Sequence, residues 1–121
     1  MSPRPCKYKA MSLHTKAQQK KLCAACPIAR AADLIGDSWS LLIVRDLLKG
    51  PRRFNDLLSS LEGISTRTLT KKLQFMEKNN IALREKFSEK PPRVEYSLTS
   101  KGRAFKTIIT SMRKYGEKYP D

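Results

Sequence analysis

Between Phe54 and Asn80 the apolar residues recur at helical spacing on both sides of one interruption, Glu62-Gly63-Ile64. Phe54, Leu57, Leu58 and Leu61 form the inward stripe of a short helix before it. Leu69, Leu73 and Met76 form that of a longer helix after it. Ser65 stands where the longer helix needs an N-cap, and Gly63 suits the positive φ that a tight turn demands. Two helices joined by a glycine-containing turn make a helix-turn-helix unit. After Asn80 the period shortens to two: Ile81-Ala-Leu83-Arg-Glu-Lys-Phe87 and Val94-Glu-Tyr96-Ser-Leu98 alternate apolar and polar. The polar Ser88-Glu-Lys-Pro-Pro-Arg93 between them reads as the tip of a β-hairpin, a wing.

Helices fill the rest. Pro27 suits a first helical position, which makes Cys26 the N-cap of a helix broken by Gly36-Asp37. Asp37 or Ser38 caps the next helix, where Trp39, Leu42, Ile43, Leu47 and Leu48 recur before Lys49-Gly50-Pro51 stops it. Thr99 is expected to cap one final helix carrying Phe105, Ile108, Ile109, Met112, Tyr115 and Tyr119 on one face. That stripe is longer than so small a core needs, which makes it a dimer seam. The expected fold class is mainly α with a small β-hairpin, a winged helix-turn-helix with terminal helices forming a dimer interface. Residues 23–121 form this domain. Residues 1–22, with Arg4, Lys7, Lys9, Lys16, Lys20 and Lys21 but no acid, form a basic arm, flexible or partly helical.

Composition narrows the partner. Lys and Arg number 25 against 11 Asp and Glu, so the 121 residues carry a formal charge of +14. This excess points to a polyanion, nucleic acid before a membrane surface. No apolar run approaches the length of a membrane span, and the first residues show no signal-peptide pattern, so a cytoplasmic protein is expected. The helix after Ser65 sharpens the reading. With Leu69, Leu73 and Met76 turned inward, Arg67, Thr70, Lys71, Gln74 and Lys78 fall on the opposite side. Arg can pair with guanine, Gln with adenine, and Thr can meet a thymine methyl, which is the chemistry of major-groove reading of double-stranded DNA. Ser65 and Thr66 lie at the helix N-terminus, where free backbone N–H groups favour a phosphate. Arg52, Arg53, Arg84, Lys86, Lys90 and Arg93 flank the helix in sequence, as candidates for phosphate or minor-groove contacts or as plain surface charge.

From Cys26 to about Tyr115 the order of motifs resembles the HxlR family of winged-helix transcription regulators. The matching stretches are Cys26-Pro27, Ile35-Gly36-Asp-Ser-Trp39-Ser-Leu-Leu-Ile43 and Gly50-Pro-Arg-Arg-Phe54-Asn-Asp-Leu57. They continue through Gly63-Ile-Ser65, Leu69-Thr-Lys-Lys-Leu73, Pro92-Arg-Val-Glu-Tyr96-Ser-Leu-Thr99 and Gly102. The resemblance implies a homodimer on a two-fold symmetric operator. It also implies that Cys26, as the Cys before the Pro, is a candidate sensor of oxidants or electrophiles. An N-cap thiolate there would sit at the positive end of a helix dipole with Arg30 one turn away, and Cys23 supplies a candidate resolving thiol. The competing reading makes Cys26 a small capping and packing residue. A zinc site from Cys6, His14, Cys23 and Cys26 fits no standard spacing, so no metal and no other cofactor is expected.

Catalysis finds little footing. The Cys23-Ala-Ala-Cys26 pair lacks the preceding strand of a thioredoxin-like centre, and there is no phosphate loop, paired carboxylate or nucleophile-histidine set. No residue pattern demands a small-molecule ligand. The alternative to a sequence-specific regulator is a non-specific architectural DNA- or RNA-binding winged helix, since charge confers affinity without choice.

Overall fold

The computed structural model describes residues 26–121, which fall into two units divided after Asp37. The basic arm and its boundary at residue 22 lie outside the described residues. In the first unit, helix α1 spans Pro27–Ile35. Its first residue has no N–H to leave unpaired. Cys26 is the N-cap as expected, extended at φ −90°, ψ 115°, and its carbonyl accepts from Arg30 N–H at 3.1 Å. Gly36 ends the helix by donating to the Ala32 carbonyl at 2.7 Å.

The second unit runs α2 (Ser38–Leu47), β1 (Arg52–Arg53), α3 (Phe54–Ser60), α4 (Thr66–Lys78), β2 (Ala82–Phe87), β3 (Arg93–Leu98), α5 (Ser100–Arg103) and α6 (Lys106–Lys118). Helices α3 and α4 are the expected helix-turn-helix. Leu57 and Leu61 from the first, Ile64 from the turn and Leu69, Leu73 and Met76 from the second are all buried. Gly63 takes φ 93°, a conformation costly for residues with a Cβ. Ile43, Val44 and Leu47 of α2 complete the core with Ile81, Tyr96, Leu98, Phe105 and Ile109. One carboxylate is buried among them. Asp46 of α2, 3% exposed, accepts from Ser60 Oγ at 2.6 Å and from Arg45 Nε at 3.0 Å, which fastens the end of α3 to α2.

The hairpin forms as read, in the register Ala82↔Leu98, Arg84↔Tyr96, Lys86↔Val94. A third strand joins it that the sequence does not announce. β1 pairs antiparallel with β3, Arg52 opposite Tyr96 and Arg53 opposite Glu95, in the order β1-β3-β2. Two residues between Pro51 and a helix are too few to show alternation.

The single final helix is corrected. Thr99 does cap, its Oγ1 accepting from Gly102 N–H at 3.0 Å, but the helix it caps is the short α5. Phe105 N–H then bonds back three residues to Gly102 at 3.1 Å, tightening the turn, and α6 begins anew with Phe105 as its N-cap. Phe105 is drawn into the core, and Gly102 is pressed against the sheet. A Cβ built on Gly102 would collide with the Ile81 carbonyl oxygen and lie 2.9 Å from a Leu98 methyl. The collision is with backbone, so it cannot be relieved by a side-chain rotation. Gly102→Ala is therefore expected to destabilise the fold by about 1–3 kcal/mol. Thermal unfolding followed by circular dichroism tests this; an unchanged midpoint would contradict the close approach of α5 to the Ile81 backbone.

Candidate nucleic-acid interface

Helix α4 is the candidate interface because its two sides are so unlike. Leu69, Leu73 and Met76 are at most 1% exposed, whereas Thr66, Arg67, Thr70, Lys71, Gln74 and Lys78 are all exposed. Burial of one stripe thus fixes the rotation of the helix and dictates which side chains stand outward. Ser65 is engaged as the N-cap, its Oγ accepting from Thr68 N–H at 3.0 Å and donating to Thr68 Oγ1 at 2.9 Å. Its hydroxyl is thereby committed to the helix, which leaves Thr66 as the exposed side-chain hydroxyl at the helix start. Thr70 Oγ1 donates to the Thr66 carbonyl at 2.7 Å. With its proton occupied, Thr70 offers a base edge a methyl group and acceptor lone pairs.

The flanking cations separate into two sets. Alternation along the strands puts Arg84 and Lys86 on the hairpin face that also carries the buried Ala82, Tyr96 and Leu98. Helix α4 packs against β2, so these two cations extend the face that the core begins. Lys90 is exposed at the tip. Arg53 and Arg93 are on the opposite face with Glu95; the Arg53 side chain is exposed, whereas that of Arg93 is tied into the protein. Asp56 accepts the Arg53 backbone N–H at 3.1 Å, while the Arg93 guanidinium lies between Glu89 and Glu95. The structure therefore groups Arg67, Thr70, Lys71 and Gln74 on one surface and sets Arg93 apart from it. The carboxylates at positions 89 and 95, four before and two after Arg93, were the available sequence signal for that separation.

Two further surfaces bear on function. Cys26, half-buried, has a free thiol whose side chain makes no capping hydrogen bond. Cys6, His14 and Cys23 lie outside the described residues, and among the described residues no three His, Cys, Asp or Glu side chains gather as metal ligands. Of the expected seam, Phe105 and Ile109 are buried in the protomer's own core. Ile108, Met112, Tyr115 and Tyr119 remain exposed at 38%, 49%, 69% and 55%. Tyr115 and Tyr119 stack with ring centroids 5.0 Å apart.

A helix-turn-helix followed by a β-hairpin wing, which β1 extends to three strands, with a polar, cationic second helix, defines a winged-helix DNA-binding protein. The profile of the HxlR-like helix-turn-helix family matches residues 34–121, and the chain belongs to that family. It is 46% identical over 91 residues to the HTH-type transcriptional regulator sll1512 of Synechocystis, covering 75% of this chain and 67% of that one. It is 33% identical to the HTH-type transcriptional regulator YodB of Bacillus subtilis, across 78% of this chain and 85% of YodB. Among solved structures, the oxidised redox regulator HypR superposes with a TM-score of 0.76 at 35% identity, covering 79% of this chain and 99% of HypR. Reduced YodB superposes with a TM-score of 0.68 at 33% identity, over 78% and 93% of the two chains. The protein is thus a DNA-binding transcriptional regulator and not an enzyme. Among the described residues no helix is long and apolar enough to cross a membrane.

The arrangement separates two kinds of contact. Arg67→Ala is expected to cost about 1–3 kcal/mol of binding and to relax preference at one base position. Lys90→Ala is expected to weaken binding to every duplex alike and to flatten the salt dependence. Titrations against duplexes differing at single positions distinguish these outcomes; identical effects from both would contradict α4 as the reading helix.

Proposed function

We propose that the protein is a sequence-specific regulator acting in the cytoplasm as a homodimer on a two-fold symmetric operator, switched by oxidation of Cys26. The observation that carries the specific reading is the exposed Arg67–Thr70–Lys71–Gln74 surface of a helix locked in rotation by its buried stripe. A protein that only neutralised phosphates has little use for Thr and Gln there. In a two-fold dimer the paired α4 helices enter successive major grooves about 34 Å apart, and the wings reach the flanking backbone.

The dimer is supported by the apolar residues that α6 leaves in water. Ile108, Met112, Tyr115 and the C-capping Tyr119 recur on one side of a helix whose other exposed side chains are polar or charged, and a second copy offers the same stripe in return. Met112→Glu is expected to yield a folded monomer, because Met112 is 49% exposed and lies outside the protomer's buried core; sedimentation velocity with circular dichroism tests both halves of that statement.

Support for the switch comes from the place of Cys26 at a helix start and from two relatives. HypR is a redox regulator solved in oxidised and reduced forms, and YodB has been solved reduced and diamide-treated. The step is a disulfide: two thiols surrender two protons and two electrons to an oxidant, Cys26 joining either Cys23 or Cys26 of a second protomer. Footprinting on the DNA upstream of the protein's own gene tests the whole reading. Two protected half-sites are expected for the reduced protein, lost on mild thiol oxidation and retained by Cys26→Ser. Protection that ignores the oxidant would make Cys26 a structural cap, and diffuse protection would favour the non-specific binder that the +14 charge also permits.

A further inference from the structure

The two faces of the wing carry different charge, and the difference has a built cause. On one face Arg84 and Lys86 follow the buried Ala82 along β2. On the opposite face Glu85 stands directly across from Glu95, a juxtaposition of like charges that destabilises a hairpin left to itself. Arg93 occupies the same face. Its Nη1 lies 3.3 Å from Glu89 Oε1, and its Nε lies 3.2 Å from Glu95 Oε2, an ion-pair separation outside hydrogen-bonding geometry. Its guanidinium carbon sits 4.3 Å from the centroid of the Phe87 ring, the residue directly opposite Arg93 in the ladder. The side chain is 26% exposed, well covered for an arginine at a hairpin tip.

We infer that Arg93 is a positioning residue of the wing and not a phosphate contact: held between Glu89, Glu95 and the Phe87 ring, it shapes the hairpin whose opposite face, through Arg84 and Lys86, meets the DNA backbone. The inference rests on the wing touching DNA as proposed above. Its logic is electrostatic. A phosphate approaching Arg93 must compete with two carboxylates already at ion-pair distance and is repelled by Glu85 beside them. A phosphate approaching Arg84 or Lys86 meets no acid on that face of the hairpin. Planarity matters as well, since a guanidinium can stack on a ring while pairing sideways with two carboxylates, and a lysine ammonium cannot do both.

The slope of log affinity against log salt counts phosphates neutralised, about 0.9 per contact on duplex DNA, and so separates touching from positioning. The intact chain is titrated by fluorescence anisotropy, over a salt series, against a duplex it selects from a randomised pool. Arg84→Ala and Lys86→Ala are each expected to reduce the slope by about 0.9. Arg93→Ala is expected to weaken binding by about fivefold with the slope unchanged, and Arg93→Lys to behave like it. In a chain already carrying Arg84→Ala and Lys86→Ala, Arg93→Ala is expected to have little further effect, because it acts through those contacts. A reduced slope for Arg93→Ala, full rescue by Arg93→Lys, or unaltered affinity would each overturn the inference. Failure to select any duplex would instead count against the specific regulator, and the slopes remain readable on DNA of arbitrary sequence.

Discussion

The candidate DNA-binding helix and the wing hang from one junction at Ile81. The side chain of Ile81 is fully buried, its N–H donates to the Met76 carbonyl at 2.8 Å, and its own carbonyl receives Thr99 N–H at 3.0 Å. Around it the frayed end of α4 is gathered in. Thr99 Oγ1 donates to the Asn80 carbonyl at 2.6 Å, and Lys101 Nζ reaches the Asn79 carbonyl at 3.0 Å. Those carbonyls lack partners within the helix, and α5 supplies donors for them. Helix α4, the first strand of the hairpin and the turn leading to α6 are thus fixed at one point. Gly102 is what allows α5 to come near enough.

The acids explain why so much positive charge is left uncompensated where it matters. Asp46 is buried against Ser60, Asp56 holds the N–H of Arg53, and Glu89 and Glu95 hold Arg93. These carboxylates do structural work within the chain. From Ser65 to Met76 there is none, so the outward cations of α4 face solvent without a neighbouring acid in their own helix up to Glu77. The +14 charge alone draws the protein to any nucleic acid; the distribution decides which surface arrives.

Helices and hairpin were legible because each has a period, and the helix-turn-helix was legible in detail because Gly63 and Ser65 have local requirements that a sequence displays. The outward side of α4 followed from the inward one. What escaped was non-local. β1 is defined only by its partner β3, far along the chain, and a two-residue strand carries no pattern of its own. The break between α5 and α6 depends on Gly102 meeting a carbonyl from Ile81, which no spacing within the last segment reveals. Arg93 was read as a free cation because charge is counted residue by residue, whereas its pairing is set by a hairpin register that brings Phe87 opposite it.

In the proposed dimer, phosphate contacts and base contacts respond differently to rotation of the two protomers, and this sets what the proposed switch has to do. Lysines and arginines on long stems follow a phosphate through small displacements, because the interaction is weakly directional. Arg67 and Gln74 need paired hydrogen bonds to a base edge, which lose strength steeply as alignment fails. Two such helices must also match grooves about 34 Å apart at once. A modest change in dimer angle therefore removes specific binding while leaving most of the electrostatic attraction in place. Regulation of this kind needs no loosening of the fold: hydrogen bonds at the Ile81 junction tie α4 to the hairpin and to α5, so in the proposed dimer a protomer and its proposed reading helix turn together.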